Sequence, residues 1–395
     1  MWWLTSALLF ATPVSPGGPA VGFDDALARV DTSGDVSGAE AGARARRDGL
    51  SRLGSFTSNP QILAQPGLRT EAGALGPEGQ LSILQSFNLG GLASARRAVA
   101  QEEADVAGLQ HRALRQERRI AVGEAWLETW AAQAAAEAAH HEETAARELL
   151  ERLERASATG GVTRVEVATA RAFAAEAAAL HLEWEGRRVD AGARLATLLG
   201  LDDIALALGP APTFDDVGVA ALEASKQLPV KVMAGELRTE RQRAEETKAQ
   251  WATQLQLSVQ GGHDAPNQWF GNVGVGVTLP LLETGNRERA AHEATTRQLT
   301  GALSQAEKRA RIALQLVAHE LEHTAETLEV VKHQQLPAAE EAATLEGKRY
   351  AQGEATLLEL TLLRRQALAA RLAAVMAEAR FLAARARAHE LQESK

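Results

Sequence analysis

The chain has 395 residues, 45% hydrophobic but only 4% aromatic, with a formal net charge of −9 and no cysteine. Few aromatics and abundant alanine supply a thick globular core poorly, and suit long helices that meet through small side chains. The acidic balance argues against non-specific nucleic-acid binding. The missing cysteine excludes disulfides, zinc–thiolate sites and a lipid-anchoring cysteine at the start of a mature chain.

The first twenty residues, "MWWLTSALLFATPVSPGGPA", are apolar from Trp2 to Val14 and end in small residues. They read as a secretory signal peptide, 1–20, cleaved around Ala20, although no Lys or Arg precedes the apolar run. No other run reaches the roughly 18 apolar residues of a spanning helix, so a membrane role would need β-strands. "NPQILAQPGLR" (59–69) and "GQLSILQSFNL" (79–89) flank a Gly- and Pro-containing loop and form a weak hairpin pattern. A long helical run follows from Gly91 to about Ser157, and a second covers about 163–199. Residues 201–229, with Pro210, Pro212 and Pro229, read as a connector.

Helical pattern resumes near Pro229 and runs to about Gln250. "TQLQLSVQ" (253–260) and "FGNVGVGVTLPL" (270–281) then alternate around the turn "GGHDAPNQ", a second hairpin. Further helices span about 286–335 and 337–392. The last carries a heptad seam at Leu360, Leu363, Ala367, Ala370, Ala374, Ala377, Phe381 and Ala384. Leu299, Leu303, Ala306, Ala310, Ala313, Val317 and Leu321 form a similar seam before it. The unit strand, strand, long helix, Gly-centred reversal, long helix thus occurs twice, over 21–200 and 230–395 with the connector between. Four strands cannot close a barrel, but twelve strands from three chains can. Helices of roughly 40 to 65 residues would run about 60 to 100 Å, which suits a hollow tube crossing a compartment.

The reversals are the sharpest repeat signal. "SATGGVTRVEVATA" (157–170) and "YAQGEATLLELTLL" (350–363) align at a constant offset of 193 positions, as from Gly160 to Gly353. Thr163 then matches Thr356, Glu166 matches Glu359 and Val167 matches Leu360. A glycine alone could turn the chain. Each Thr is also placed to N-cap the outgoing helix, with Glu three residues on completing a capping box. The remainder of the match suggests a surface presented to a partner.

Four patterns suggest chemistry. "HELEH" (319–323) fits the zinc-protease pattern, with His319 and His323 as weak metal candidates and Glu320 as general base. It lies at the end of a heptad run and has no third ligand at protease spacing, so a solvated helix face explains it better. "HHEE" (140–143) could hold a metal through His140 and Glu143, but the next helical position is Thr144, which leaves the cluster incomplete. Trp126 and Trp130 read as interhelical packing. "GNVGVG" (271–276) lies in a strand and lacks the helix of a phosphate loop.

The layout resembles the TolC family of outer-membrane efflux proteins from about Gly22 to Gln392. "GFDDALARV" (22–30) is similar to the family's opening helix, "VGVTLPLLETGNRERA" to its strand-to-helix junction, and the two reversals to its paired tips. "SNPQILAQP" with "QSFNLGGLASARRA" leans toward the CzcC-like, heavy-metal branch. The chain departs from the family at Leu282 and Ser86, and carries Glu166 and Glu359 where Asp is more usual.

The resemblance implies a mainly α protein with a small β part, forming a homotrimer. A twelve-stranded barrel would sit in outer-membrane lipid and an α-helical barrel in the periplasm. The tips, Gly160, Thr163, Glu166, Gly353, Thr356 and Glu359, would meet a periplasmic adaptor serving an RND-type inner-membrane pump. Three copies of Glu359 would ring the pore aperture. Such a protein is a passive duct, not an enzyme, and needs no cofactor. The alternatives are a periplasmic coiled-coil interaction protein without a pore and a zinc hydrolase using the HELEH segment.

Overall fold

The computed structural model describes residues 20–54, 58–71, 74–203, 206–214, 222–263, 268–281 and 284–393. The expected signal peptide, apart from Ala20, and Leu282 lie outside them. In chain order the elements are α1 (Phe23–Asp31), α2 (Gly34–Leu50), β1 (Gln61–Glu71), β2 (Ala74–Asn88), α3 (Leu92–Ala158) and α4 (Arg164–Leu199). They continue with α5 (Leu228–Gln250), β3 (Gln254–His263), β4 (Trp269–Thr278), α6 (Asn286–Val330), α7 (Leu336–Ala351) and α8 (Leu357–Glu393). This is a mainly helical protein with one small antiparallel sheet. A π-helical turn, Val331–Gln335, joins α6 to α7 directly before Pro337. The proline has no N–H to donate, and the widened turn is where the helical ladder absorbs that.

α2 forms where no element is assigned from the sequence. Gly34, Gly38, Gly42 and Gly49 each disfavour helix by about 1 kcal/mol, so the sequence pattern suggests none there. Ser33 starts it locally: its hydroxyl donates to the Asp35 carboxylate (2.8 Å), which also accepts the Val36 N–H (2.9 Å).

Two compact units divide the described residues, and each draws on both halves of the repeat. The first takes the segments up to Ser37, Leu114–Glu223 and Ile312 onward. Its core gathers Phe23, Ala26, Leu27 and Val30 from α1 around Trp126 of α3, with Leu195 of α4 and Leu382 of α8. Trp126 is wholly buried, and its indole N–H donates to the Val21 carbonyl at 3.1 Å. Phe23 packs edge-on against both Trp126 and Phe214, with centroids 5.5 Å apart in each pair. A buried indole finds a polar partner here while its ring fills the core.

Away from that node, alanine makes the contacts: Ala135, Ala136 and Ala139 meet Trp184, and Ala146 meets Phe173, Ala174 and Ala177. On α8 the heptad seam is the covered face, with Leu360, Ala370, Ala374, Ala377 and Ala384 buried. On α6 the seam shifts, because Leu314 is buried and Ala313 exposed. The step from Ala310 is four residues, as a straight helix of 3.6 residues per turn requires when a strict heptad drifts.

The second unit takes Gly38–Ala113 and Ala224–Arg311 and holds the sheet. Its strands lie in the order β1-β2-β3-β4, all antiparallel, so β2 and β3 join the two repeats. Among the described residues, β1 and β4 each have one edge that pairs with no other strand. The register aligns Ile62, Ile83, Val259 and Val273 in one row across all four strands. Phe87, Leu255 and Val277 form another row on the same face. The opposite face carries Ser82, Gln260 and Asn272, then Ser86 with Gln256, and Asn88, Gln254 and Thr278, with Leu63, Leu84 and Phe270 as apolar exceptions. "GNVGVG" belongs to β4, as its alternation implies.

Candidate functional site

The two reversals are built alike. Gly160 and Gly353 have φ of +79° and +75°, a left-handed conformation that only glycine enters cheaply. The residue after each donates back to the preceding helix, Gly161 N–H to Ala156 O and Glu354 N–H to Arg349 O, both at 2.9 Å. These are Schellman C-caps that close α3 and α7. No neighbour crowds either α-carbon, so the backbone angle alone selects glycine.

Thr163 and Thr356 then restart the chain. The Thr163 N–H and hydroxyl both donate to the Glu166 carboxylate at 2.8 Å, and the hydroxyl accepts the Glu166 N–H at 3.2 Å. Thr356 and Glu359 repeat this with 2.8, 2.8 and 3.3 Å. Each Glu carboxyl is held below the usual carboxylate range, first by the Thr backbone N–H and then by the Thr hydroxyl. A carboxylate in the first turn also faces the positive end of the helix dipole.

Beneath the reversals lies one shared apolar cluster, with Leu149 and Leu153 of α3, Ala170 of α4, and Leu357 and Leu360 of α8 buried. Val167, the repeat partner of Leu360, packs against it, as does Tyr350. Burial pushes the Tyr350 hydroxyl above its ordinary value, and the nearby Glu166 charge adds to this. The structure therefore brings Gly160, Thr163, Glu166, Gly353, Thr356 and Glu359 to adjoining ends of two packed helical hairpins. Sequence reasoning missed Val165 and Leu358, large exposed apolar residues one position before each Glu. The 193-residue offset relates them too, and that was the available signal.

The remaining patterns fall elsewhere. His319 and His323 are exposed with rings stacked 6.0 Å apart, and no third ligand joins them among the described residues. Glu320 accepts from Arg387 at 2.8 Å, so the would-be general base is held in an ion pair. His140 and Glu143 fare differently: His181 of α4 reaches Glu143, with Nδ1 2.6 Å from Oε2. Spacing within α3 could not reveal that contact, because it depends on how α4 registers against α3.

The second surface of note is the apolar face of the sheet. Ile62, Leu81, Ile83, Leu257, Val259, Val273, Val275 and Val277 are exposed there. Trp269 stands exposed at the β3–β4 turn end, its ring 5.3 Å from that of His263. A soluble monomer rarely leaves so continuous an apolar patch uncovered.

No protein-family model and no curated protein sequence matches the chain. Solved structures do. The outer membrane protein VceC of Vibrio cholerae superposes with a TM-score of 0.71 at 19% identity, covering 93% of this chain and 95% of that one. The MtrE outer membrane channel of Neisseria gonorrhoeae gives 0.74 at 15% identity, over 93% of this chain and 88% of its own. The CmeC outer membrane channel of Campylobacter jejuni gives 0.69 at 14% identity, over 98% and 90%. In each comparison the likeness extends over nearly the whole of both chains. The chain has the fold of the TolC-like outer-membrane efflux channels.

Proposed function

We propose that this chain is one protomer of a homotrimeric outer-membrane duct, whose helices form a tunnel in the periplasm. The observation that carries the reading is the sheet, with one face of exposed branched side chains, the other largely polar, and two unpaired edges. In lipid every backbone group must be satisfied, so an open sheet edge is untenable and closure removes it. Three four-stranded sheets closing edge to edge give a twelve-stranded barrel with its apolar face to lipid and its polar face to a lumen. The duct does no chemistry; it passes substrate delivered by a periplasmic adaptor and an RND-type inner-membrane pump.

The six tip residues, with Val165 and Leu358 beside them, dock the adaptor. Turn formation accounts for the glycines and capping for the Thr–Glu pairs, but neither accounts for two matched apolar side chains left in water. We take the cargo to be heavy-metal cations, on the strength of "SNPQILAQP" and "QSFNLGGLASARRA". Glu359 copies would form an acidic ring that favours cations at the aperture. Glu359→Gln keeps the capping box and removes the charge, so unchanged cation preference in single-channel conductance would sink the ring.

The experiment for the main reading is gel migration of protein extracted from outer membranes. A trimer that falls to monomer on heating supports it. A soluble monomer overturns it and favours the pore-free interaction protein. For the cargo, cells lacking the gene should become sensitive to divalent metals, and unchanged tolerance would remove the metal assignment.

A further inference from the structure

We infer that His140, Glu143 and His181 form a binding site for a divalent transition-metal cation on the α3–α4 hairpin. The three offer one ligand atom each, and these all lie within 4.8 Å of one another. His181 Nδ1 is 2.6 Å and His140 Nδ1 3.9 Å from the same oxygen, Glu143 Oε2. The His140 and His181 rings lie 4.8 Å apart between centroids, tilted by 53°.

The surroundings suit an ion better than they suit a bare carboxylate. The Glu143 side chain is only 6% exposed, although it sits among the buried alanines Ala139 and Ala146. A carboxylate there needs partners. Arg147 holds one oxygen, Oε1, which leaves Oε2 directed at both histidines. That division matches a metal site in which a second group orients the ligating carboxylate from behind. A cation would take the place of the direct contact between His181 Nδ1 and Glu143 Oε2.

Ligand atoms around a tetrahedral zinc are roughly 3.3 Å apart, given metal–ligand distances of about 2.0–2.1 Å. The present separations bracket that value. His140 can close the wider gap by a rotamer change, because its side chain is 58% exposed and free to swing. Two imidazoles and one carboxylate select Zn2+, Cu2+, Ni2+ or Co2+ over Mg2+ or Ca2+, and leave a fourth position to water. The exposed His319–His323 pair has no buried carboxylate to match.

The inference does not rest on the duct reading; the trimer test can fail while this one succeeds, and the reverse. The test is calorimetric titration of the detergent-solubilised full chain with ZnCl2. One zinc per chain is expected, with binding weakened at least about tenfold in His181→Ala and in Glu143→Gln, as loss of a ligand or its support commonly does. His140→Ala, a change at a residue whose side chain is 58% exposed, should weaken it likewise and guards against misfolding as the cause. The double variant His319→Ala/His323→Ala should bind as the parent does. Absence of stoichiometric zinc, or full binding in His181→Ala or His140→Ala, would overturn the site.

Discussion

The sheet and the helical reversals treat exposed surface in opposite ways. Across the sheet, whole rows of branched side chains stand uncovered while the hydrogen-bonding groups between strands are paired. At the reversals it is the polar groups that are exposed, each already satisfied within its own turn, above a buried apolar cluster. An uncovered apolar face asks for a solvent other than water, whereas a self-satisfied polar turn is stable in water and awaits at most a partner. One chain thus carries two surfaces of opposite character, and each can be broken separately.

The largest effect should come from a charge on the apolar face. Val273→Lys, in the row shared with Ile62, Ile83 and Val259, should cost roughly 2–4 kcal/mol of membrane insertion and abolish most heat-modifiable trimer. Its neighbour Asn272→Lys, on the polar face, should leave trimer yield near the parent level. Equal yields from the two would erase the distinction between faces.

Next come the reversals. Gly160→Ala and Gly353→Ala should each destabilise by about 1–2 kcal/mol through the backbone alone, since no neighbour meets the added methyl. Thermal unfolding should show the two variants shifted by similar amounts. A large loss in only one would mean that the reversals are not equivalent. Thr163→Ala and Thr356→Ala should cost about 1 kcal/mol each, with Thr→Ser restoring most of it.

The smallest effect is on acid stability. Glu166 has a depressed folded pKa, so its contribution is fully present above the ordinary Glu value and fades as pH falls through the folded one. Thr163→Ala should flatten that acid dependence in unfolding scans, while variants in the sheet should leave its slope intact. An unchanged slope in Thr163→Ala would mean that the capping box does not set it.

Much was legible beforehand because it is local or periodic. Thr163 with Glu166 and Thr356 with Glu359 are capping boxes by spacing alone, and both formed. Strand alternation in 253–281 marked the β3–β4 hairpin, and the α8 seam marked the covered face. α2 escaped notice because four glycines outweigh its propensity, while Ser33, Asp35 and the contacts around Val36 help secure it. The α6 seam was misplaced by one residue at Ala313 because heptad spacing and a straight helix differ by a fraction of a turn.

The sequence by itself determined where the chain turns and restarts, since φ-positive glycines and Thr-x-x-Glu caps depend only on nearest neighbours. It also set the alternation that gives the sheet two unlike faces. Only the tertiary structure decided which strands meet, placing β2 against β3 across 166 residues from Asn88 to Gln254. It likewise joined Val167 and Leu360 in one cluster and brought His181 to Glu143. Those pairings depend on helix register and strand order, which are settled by how whole faces fit together and not by any short stretch of residues.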